Sequence, residues 1–364
     1  MRRLARASAG FASALLAAAG VLCVAVRLPD SAGRDAAKAA AGFILPAGNA
    51  EGFFSEDEVD DTLPSRAPSS PSSAAQNKAA PGDSSSPQSK AALPSSAASP
   101  PSSAPSASSA APGKVLELSV GNGGMQVENF WVKNSTEHHA SLDLGQELKK
   151  APAVKIAKNS AAPQVLIYHT HTTEAYDCTE RNTDRSKSVC AVGDKIAEQL
   201  EATGIGVAHD KTYHDYPAYD GSYDRSLATM QKDLKKYPGI QVTLDIHRDA
   251  MHRSDGTMLK TTAVVGGKKA AQIMILAGCD DDGSLNFPNW ECNLRLALRL
   301  QKELAGDAPG LTRPLDFCAR RYNEHVTKGS LLIEVGTDAN TLEEAEYSGT
   351  LLGTSLARVL KNLN

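Results

Sequence analysis

The sequence predicts an α/β protein: a mostly parallel sheet with helices on both faces, preceded by a transmembrane helix and a disordered linker. Three observations lead there. From Lys114 onward, short apolar runs alternate with helical stripes, the pattern of a parallel sheet with crossover helices. Residues 7–26 form a 20-residue uncharged run behind three arginines. Ten of the 19 prolines fall between Pro64 and Pro112. With 364 residues, 5% aromatics and a mean hydropathy of −0.30, the composition argues against one packed core over the whole length. The formal charge of −4 offers no basic field for nucleic acid. Six cysteines are too few for a disulfide-built scaffold.

Taken in order, residues 1–29 read as a membrane segment. A 20-residue helix rises about 30 Å, enough to span a bilayer core. Arg2, Arg3 and Arg6 favour a cytoplasmic N-terminus, so the expectation is an uncleaved single-pass anchor with the rest of the chain extracytoplasmic. The alternative is a cleaved signal peptide processed near Ala17-Ala18-Ala19. Residues 30–113 read as disordered. Between Pro64 and Pro112 there is no aromatic and the only charges are Arg66, Lys78, Asp83 and Lys90. Such a composition buries too little apolar surface to offset ordering entropy, and its Pro-Ser stretches stay extended, a tether reaching on the order of 100 Å. Residues 114–163 form a leading segment whose Phe130-Trp131 docks onto the domain or onto a partner. Residues 164–364 form the folded domain.

Within that domain, Val165-Leu-Ile-Tyr168 reads as a buried strand. Residues 184–202 read as a helix stopped by Gly204, and residues 206–209 as the next strand. Residues 223–237 are helical, with Leu227, Met230, Leu234 and Tyr237 on one stripe, and Pro238-Gly239 ends them. Residues 240–246 alternate as a strand. Residues 262–265 and 271–276 flank Gly266-Gly267, a hairpin signal and one antiparallel departure. Residues 290–304 and 342–360 are helices, and Leu331-Leu-Ile333 is a further buried strand.

Three strand ends carry ionisable residues: His169-Thr170-His171-Thr172-Thr173-Glu174, Asp245-Ile246-His247-Arg248-Asp249, and Glu334-Val335-Gly336. In open α/β sheets, ligands gather beyond the carboxyl ends of strands. Two histidines and a carboxylate are a usual set for catalytic zinc with one position open, and a further glutamate can serve as general base and acid. A strand-end histidine is equally explained as a satisfied polar residue, and Glu334 as a helix cap or arginine partner. One topology bringing all three ends to one edge favours the site. His209, His214-Asp215 and His325 are secondary candidates for contact or support. His138-His139 reads as surface, and His252 has no assigned role. Cys178 with Cys190, and Cys279 with Cys292, have spacings compatible with disulfides or with free thiols. The sequence lacks His-Glu-x-x-His, Gly-x-Ser-x-Gly, a phosphate-cradling Gly-x-x-x-x-Gly-Lys and Cys-x-x-Cys.

Longer motifs sharpen this. Val165-Leu-Ile-Tyr-His-Thr-His-Thr-Thr-Glu-Ala-Tyr176, Gly221-Ser-Tyr-Asp-Arg225, Leu244-Asp-Ile-His-Arg-Asp-Ala250, Pro288-Asn-Trp290 and Leu332-Ile-Glu-Val-Gly336 resemble the signatures of the stage II sporulation protein P (SpoIIP) family, over residues 164–364. That family belongs with the zinc-dependent N-acetylmuramoyl-L-alanine amidases. The resemblance implies an amidase-like fold and a peptidoglycan hydrolase of engulfment that removes stem peptides and also cuts cross-links. It also implies work with SpoIID-like and SpoIIM-like partners at the engulfing membrane. Residue by residue, it implies His171 and His247 as Zn2+ ligands and Glu334 as the catalytic acid–base. The third ligand departs from the superfamily pattern: Glu174 is the expectation, His169 and then Asp184 the alternatives. Arg248 is expected to pair with a stem-peptide carboxylate or to support Glu334. The competing readings are a non-catalytic wall-binding protein on the same fold and an unrelated exported metallo-amidohydrolase of the TIM-barrel type.

Overall fold

The computed structural model describes residues 114–157 and 160–363. The expected membrane segment and the Ser/Ala/Pro-rich linker lie outside them. Among the described residues no helix is long and apolar enough to cross a membrane.

An eight-stranded sheet carries the molecule. Its strands are β2 (Met125–Val127), β3 (Phe130–Asn134), β4 (Ser160–Tyr168), β5 (Ile205–His209), β6 (Val242–Asp249), β9 (Ile273–Gly278), β10 (Leu315–Cys318) and β11 (Ser330–Thr337), in the order β2-β3-β10-β9-β11-β6-β4-β5. Two parallel blocks compose it. β11, β6, β4 and β5 run one way, and β3, β10 and β9 run the other. They meet where β9 pairs antiparallel with β11, and β2 turns back on β3. A separate three-stranded sheet holds β1 (Val115–Leu118), β7 (Met258–Val265) and β8 (Lys268–Ala271).

The helices are α1 (Leu144–Lys149), α2 (Val189–Ala202), α3 (Ser222–Lys236), α4 (Trp290–Asp307) and α5 (Leu342–Lys361). Alternation along β4 assigns its two faces. Val165 and Ile167 join the main core with Val192 and Ile196 of α2, Leu294 of α4, and Leu352 and Leu356 of α5. Leu166 and Tyr168 point the other way, onto Met230 of α3 and Ile240. Helices therefore cover both faces, α2, α4 and α5 on one and α3 on the other. α5 lies tight on α2: a Cβ at Gly349 would meet the Val192 carbonyl oxygen at 2.9 Å, and one at Gly353 the Ile196 oxygen at 2.9 Å.

Several expectations change. The helix expected over residues 184–202 begins only at Val189. Asp184 instead caps a short 3-10 turn, Arg185–Lys187, and extended Ser188 caps α2 by accepting from the Cys190 N–H. The hairpin at Gly266-Gly267 forms, with φ of +56° and +79° as a two-residue turn of this hand requires. Its second strand is β8, however, and residues 273–278 leave it after Gln272 to become β9. The reversed sense of β9, together with β2, supplies the antiparallel pairings in the main sheet. β6 is buried on both faces from Val242 to Arg248; Leu244 and Ile246 lie in the main core, and its polar alternates are interior as well. The leading segment contributes β1–β3 and α1, and Phe130 is buried in the main core, so Phe130-Trp131 docks onto the domain. All five described cysteines are free.

Candidate metal centre

The loop leaving β4 is held rigidly before any catalytic question arises. The Thr170 N–H and hydroxyl donate to the two oxygens of Asp245 at 2.8 and 2.6 Å. Thr172 donates to the Thr212 carbonyl at 2.7 Å. The Thr173 hydroxyl donates to Asp215 Oδ2 at 2.6 Å, and its N–H reaches the same carboxylate. Thr170 is thus tied to β6, and Thr172 and Thr173 to the loop that follows β5. Between and after them His171 and Glu174 project toward β6, whose His247 shares one strand face with Asp245.

One potential ligand atom from each of His171, Glu174 and His247 lies within 4.8 Å of the others, and all three residues are buried. His247 Nδ1 is 3.4 Å from Glu174 Oε2. The two imidazole rings meet nearly edge-on, 5.2 Å between centroids. On its far side, His247 Nε2 makes an ion-pair contact with Asp245 Oδ1 at 2.9 Å. His171 Nε2 is engaged by the Tyr219 hydroxyl at 3.1 Å, and the Tyr219 ring stacks on the imidazole at 4.5 Å and 9°. His171 Nδ1 is then a buried nitrogen with no hydrogen-bond partner, a condition that interiors rarely tolerate. Glu174 Oε2 accepts the Arg248 N–H at 3.1 Å.

The charges divide sharply. Burial drives His171 down to about 4, so its ring is neutral near pH 7. His247 is equally buried, but Asp245 and Glu174 outweigh that burial and hold its pKa well above the usual imidazole range. Burial works against Glu174 as well, yet His247 and Arg248 hold its carboxyl down to about 2. Asp245 is likewise kept below the ordinary range, against its burial, by His247 and the Thr170 bonds. An ionised carboxylate, a neutral imidazole with an orphan nitrogen, and an imidazolium whose proton a cation would replace make a donor set suited to zinc. Asp245 behind His247 and Tyr219 behind His171 would fix the ring orientations.

Glu334 stands beside His247 across the parallel β11–β6 pairing. It is half-buried, and its charge reaches Arg248, Tyr176, Tyr223 and Tyr322. His169 is not in the cluster: Nδ1 bonds the Ile246 carbonyl at 2.8 Å and Nε2 meets His209 Nε2 at 2.9 Å. Arg248 is buried and spends its guanidinium on the Ala175 and Glu180 carbonyls at 3.1 and 2.7 Å, so it fastens the loop that carries Glu174. His214 serves the same loop by bonding the His169 carbonyl at 2.7 Å. His325 is half-buried, and His252 pairs with Asp338 at 2.7 Å. The sequence placed Asp245 at the polar strand end without giving it a role, and it did not point to Tyr219. Asp245, two residues before His247, carried a signal in the strand period; Tyr219 carried none, since only the packing of the segment before α3 brings it to His171.

Fold and donor set together define a class: α/β proteins with a His/Glu/His set at the carboxyl ends of parallel strands. Solved structures similar to this chain include the N-acetylmuramoyl-L-alanine amidase AmiC2 of Nostoc punctiforme, with 11% identity, 54% of this chain and 94% of that chain covered, and a TM-score of 0.34. The CwlD amidase of Clostridioides difficile, solved in complex with the GerS lipoprotein, gives 16% identity, 55% and 98% coverage, and a TM-score of 0.34. Residues 78–360 match the family model of stage II sporulation protein P (SpoIIP), and the chain belongs to that family. The stage II sporulation protein P of Bacillus subtilis (strain 168) is 33% identical over 202 residues, which span 50% of this chain and 47%, about half, of that protein.

Proposed function

We propose that this chain is a zinc-dependent N-acetylmuramoyl-L-alanine amidase, a peptidoglycan hydrolase of sporulation. The observation that carries the reading is the convergence of His171, Glu174 and His247 beside Glu334 at one sheet edge, in a member of the SpoIIP family. Those three residues would hold the ion, which when bound supplies Lewis acidity to the amide carbonyl and acidifies water toward neutral pH. The remaining work falls to the chain. Glu334 takes a proton from the attacking water and returns it to the leaving nitrogen of the stem peptide, so the amide C–N bond breaks to give a lactyl carboxylate and a free amine. Asp245 and Tyr219 orient the two imidazoles, and Arg248 keeps the Glu174 loop in place. Cleavage of peptide cross-links is proposed as a second activity of the same centre. An extracytoplasmic setting behind the N-terminal anchor, with SpoIID-like and SpoIIM-like partners, is proposed from the same family resemblance.

The test uses the full chain on purified sacculi, reading new N-terminal alanine with and without chelator. Release is expected only with metal present. Equal release after the metal is stripped would overturn the metal role, and release of sugar reducing ends instead of alanine amines would overturn the amidase reading.

A further inference from the structure

The reversed block of the sheet gathers donors of its own. β3 and β9 run parallel in that block, flanking β10, so the residues just after them emerge at one edge, opposite to the edge bearing His247 and Glu334. After β3 comes His138, in the short 3-10 turn Glu137–Ala140. After β9 come Cys279, Asp280 and Asp281. One donor atom from each of His138, Cys279 and Asp281 lies within 4.8 Å of the others.

Two of the cluster's contacts converge on one carboxylate oxygen, Asp281 Oδ1. His138 Nε2 faces two oxygens, the Asp280 carbonyl at 3.4 Å and Asp281 Oδ1 at 3.5 Å, and makes a good bond to neither. The Cys279 thiol donates to the same Oδ1 at 3.4 Å, while the other Asp281 oxygen accepts the Glu137 N–H at 3.1 Å. One carboxylate oxygen therefore looks at a thiol and an imidazole nitrogen. The ring is held in place by stacking on Trp290 at 4.8 Å and 28°. The following loop is fixed because Asp280 accepts from the Gly283, Leu285 and Phe287 N–H groups. Cys279 is fully buried, so its sulfur is presented to His138 and Asp281 and not to solvent.

We propose that His138, Cys279 and Asp281 form a second divalent-metal site, selective for zinc and separate from the His171/Glu174/His247 centre. Mixed sulfur, nitrogen and oxygen donors suit a borderline-soft tetrahedral ion, and the Asp280 carbonyl or a water can complete it. Binding releases the Cys279 proton to solvent. The ion would join His138 to Cys279 and Asp281, tying the leading segment to the end of β9. Its role is structural, since it lies at the opposite edge from Glu334.

The experiment loads the full chain with Co2+ alone and reads the thiolate-to-cobalt charge-transfer absorption. The band is expected in the native chain and in the His171→Ala/His247→Ala variant, where bound cobalt falls from two equivalents to one. It should vanish in Cys279→Ser, which likewise keeps one equivalent, and require roughly tenfold more cobalt in His138→Ala. Cooperative melting checks that Cys279→Ser is folded; if it is not, the partly exposed His138→Ala carries the test. Absence of the band in the loaded native chain, its survival in folded Cys279→Ser, or an unchanged cobalt requirement in His138→Ala would each overturn the site. The band is blind to the first centre, which contains no sulfur, so failure here leaves the amidase reading untouched.

Discussion

The two blocks of the main sheet follow one architectural rule and reach different chemistry. In the β11-β6-β4-β5 block, the carboxyl ends bring two imidazoles and two glutamates to one edge. In the β3-β10-β9 block, the carboxyl ends at the opposite edge bring an imidazole, a thiol and an aspartate. At the first edge His171 has a neighbour that stacks on it and a nitrogen left over, and Glu334 adds a half-buried carboxylate. At the second edge the sulfur is buried and the neighbouring loop is stitched to itself. The difference teaches that strand direction chooses where donors collect, while the surrounding polar shell decides whether they can do chemistry.

The comparison can be broken most forcefully at Glu334. Replacing it by Gln should lower sacculus turnover by roughly 10²–10⁴-fold, with bound zinc unchanged at both edges. A variant that turns over normally would remove the functional asymmetry between the blocks.

The seam between them offers the next test. Glu324 accepts the Gly278 N–H of β9 at 2.7 Å and the Leu332 N–H of β11 at 3.1 Å. Burial drives its pKa from 4.5 up to about 8 despite those donors. The folded state therefore binds this proton more tightly than the unfolded chain does. The stability it contributes is complete below about pH 4.5 and declines as pH rises through about 8. Denaturant unfolding at about pH 5 and about pH 8 should show a loss on the order of a few kcal/mol. Glu324→Gln should be weaker at the lower pH and should lack the share of the slope that Glu324 contributes. Equal slopes in the two proteins would remove Glu324 as the titrating group at the seam.

A smaller effect is expected behind His247. Asp245→Asn should weaken zinc at the first edge by about 10–100-fold, as loss of an orienting carboxylate does, and leave the Cys279 cobalt band alone. Coupled losses at both edges would mean that the two clusters are not separate. Smallest of all, Tyr219→Phe keeps the ring stacked on His171 and deletes only its hydroxyl contact, so zinc affinity should drop by about 1 kcal/mol or less, read by competition with a chelator. A drop as large as that of Asp245→Asn would give the two orienting groups equal weight.

Much of this was legible in the chain because it is local. Val165–Tyr168 and Leu331–Ile333 announce strands by apolar runs, and the residues that follow them announce a polar edge. Helix α3 follows from its apolar stripe. Strands β2, β3 and β10 have three to five residues each, too short for a period to stand out, and they exist because a partner strand is waiting. His138 looked like surface because its neighbours are polar; Trp290, far along the chain, half-buries it.

By itself, the sequence determined which residues at the first edge could be ligands and which strands would deliver them, since apolar periodicity and the residues at strand ends are properties of neighbours in the chain. Only the tertiary structure decided that Glu174 faces the two imidazoles while His169 turns to His209, that Arg248 is consumed in holding a loop, and that β9 runs backward and sends Cys279 to meet His138. Those outcomes depend on which distant groups compete for each buried donor and acceptor, and that competition exists only once the chain has folded.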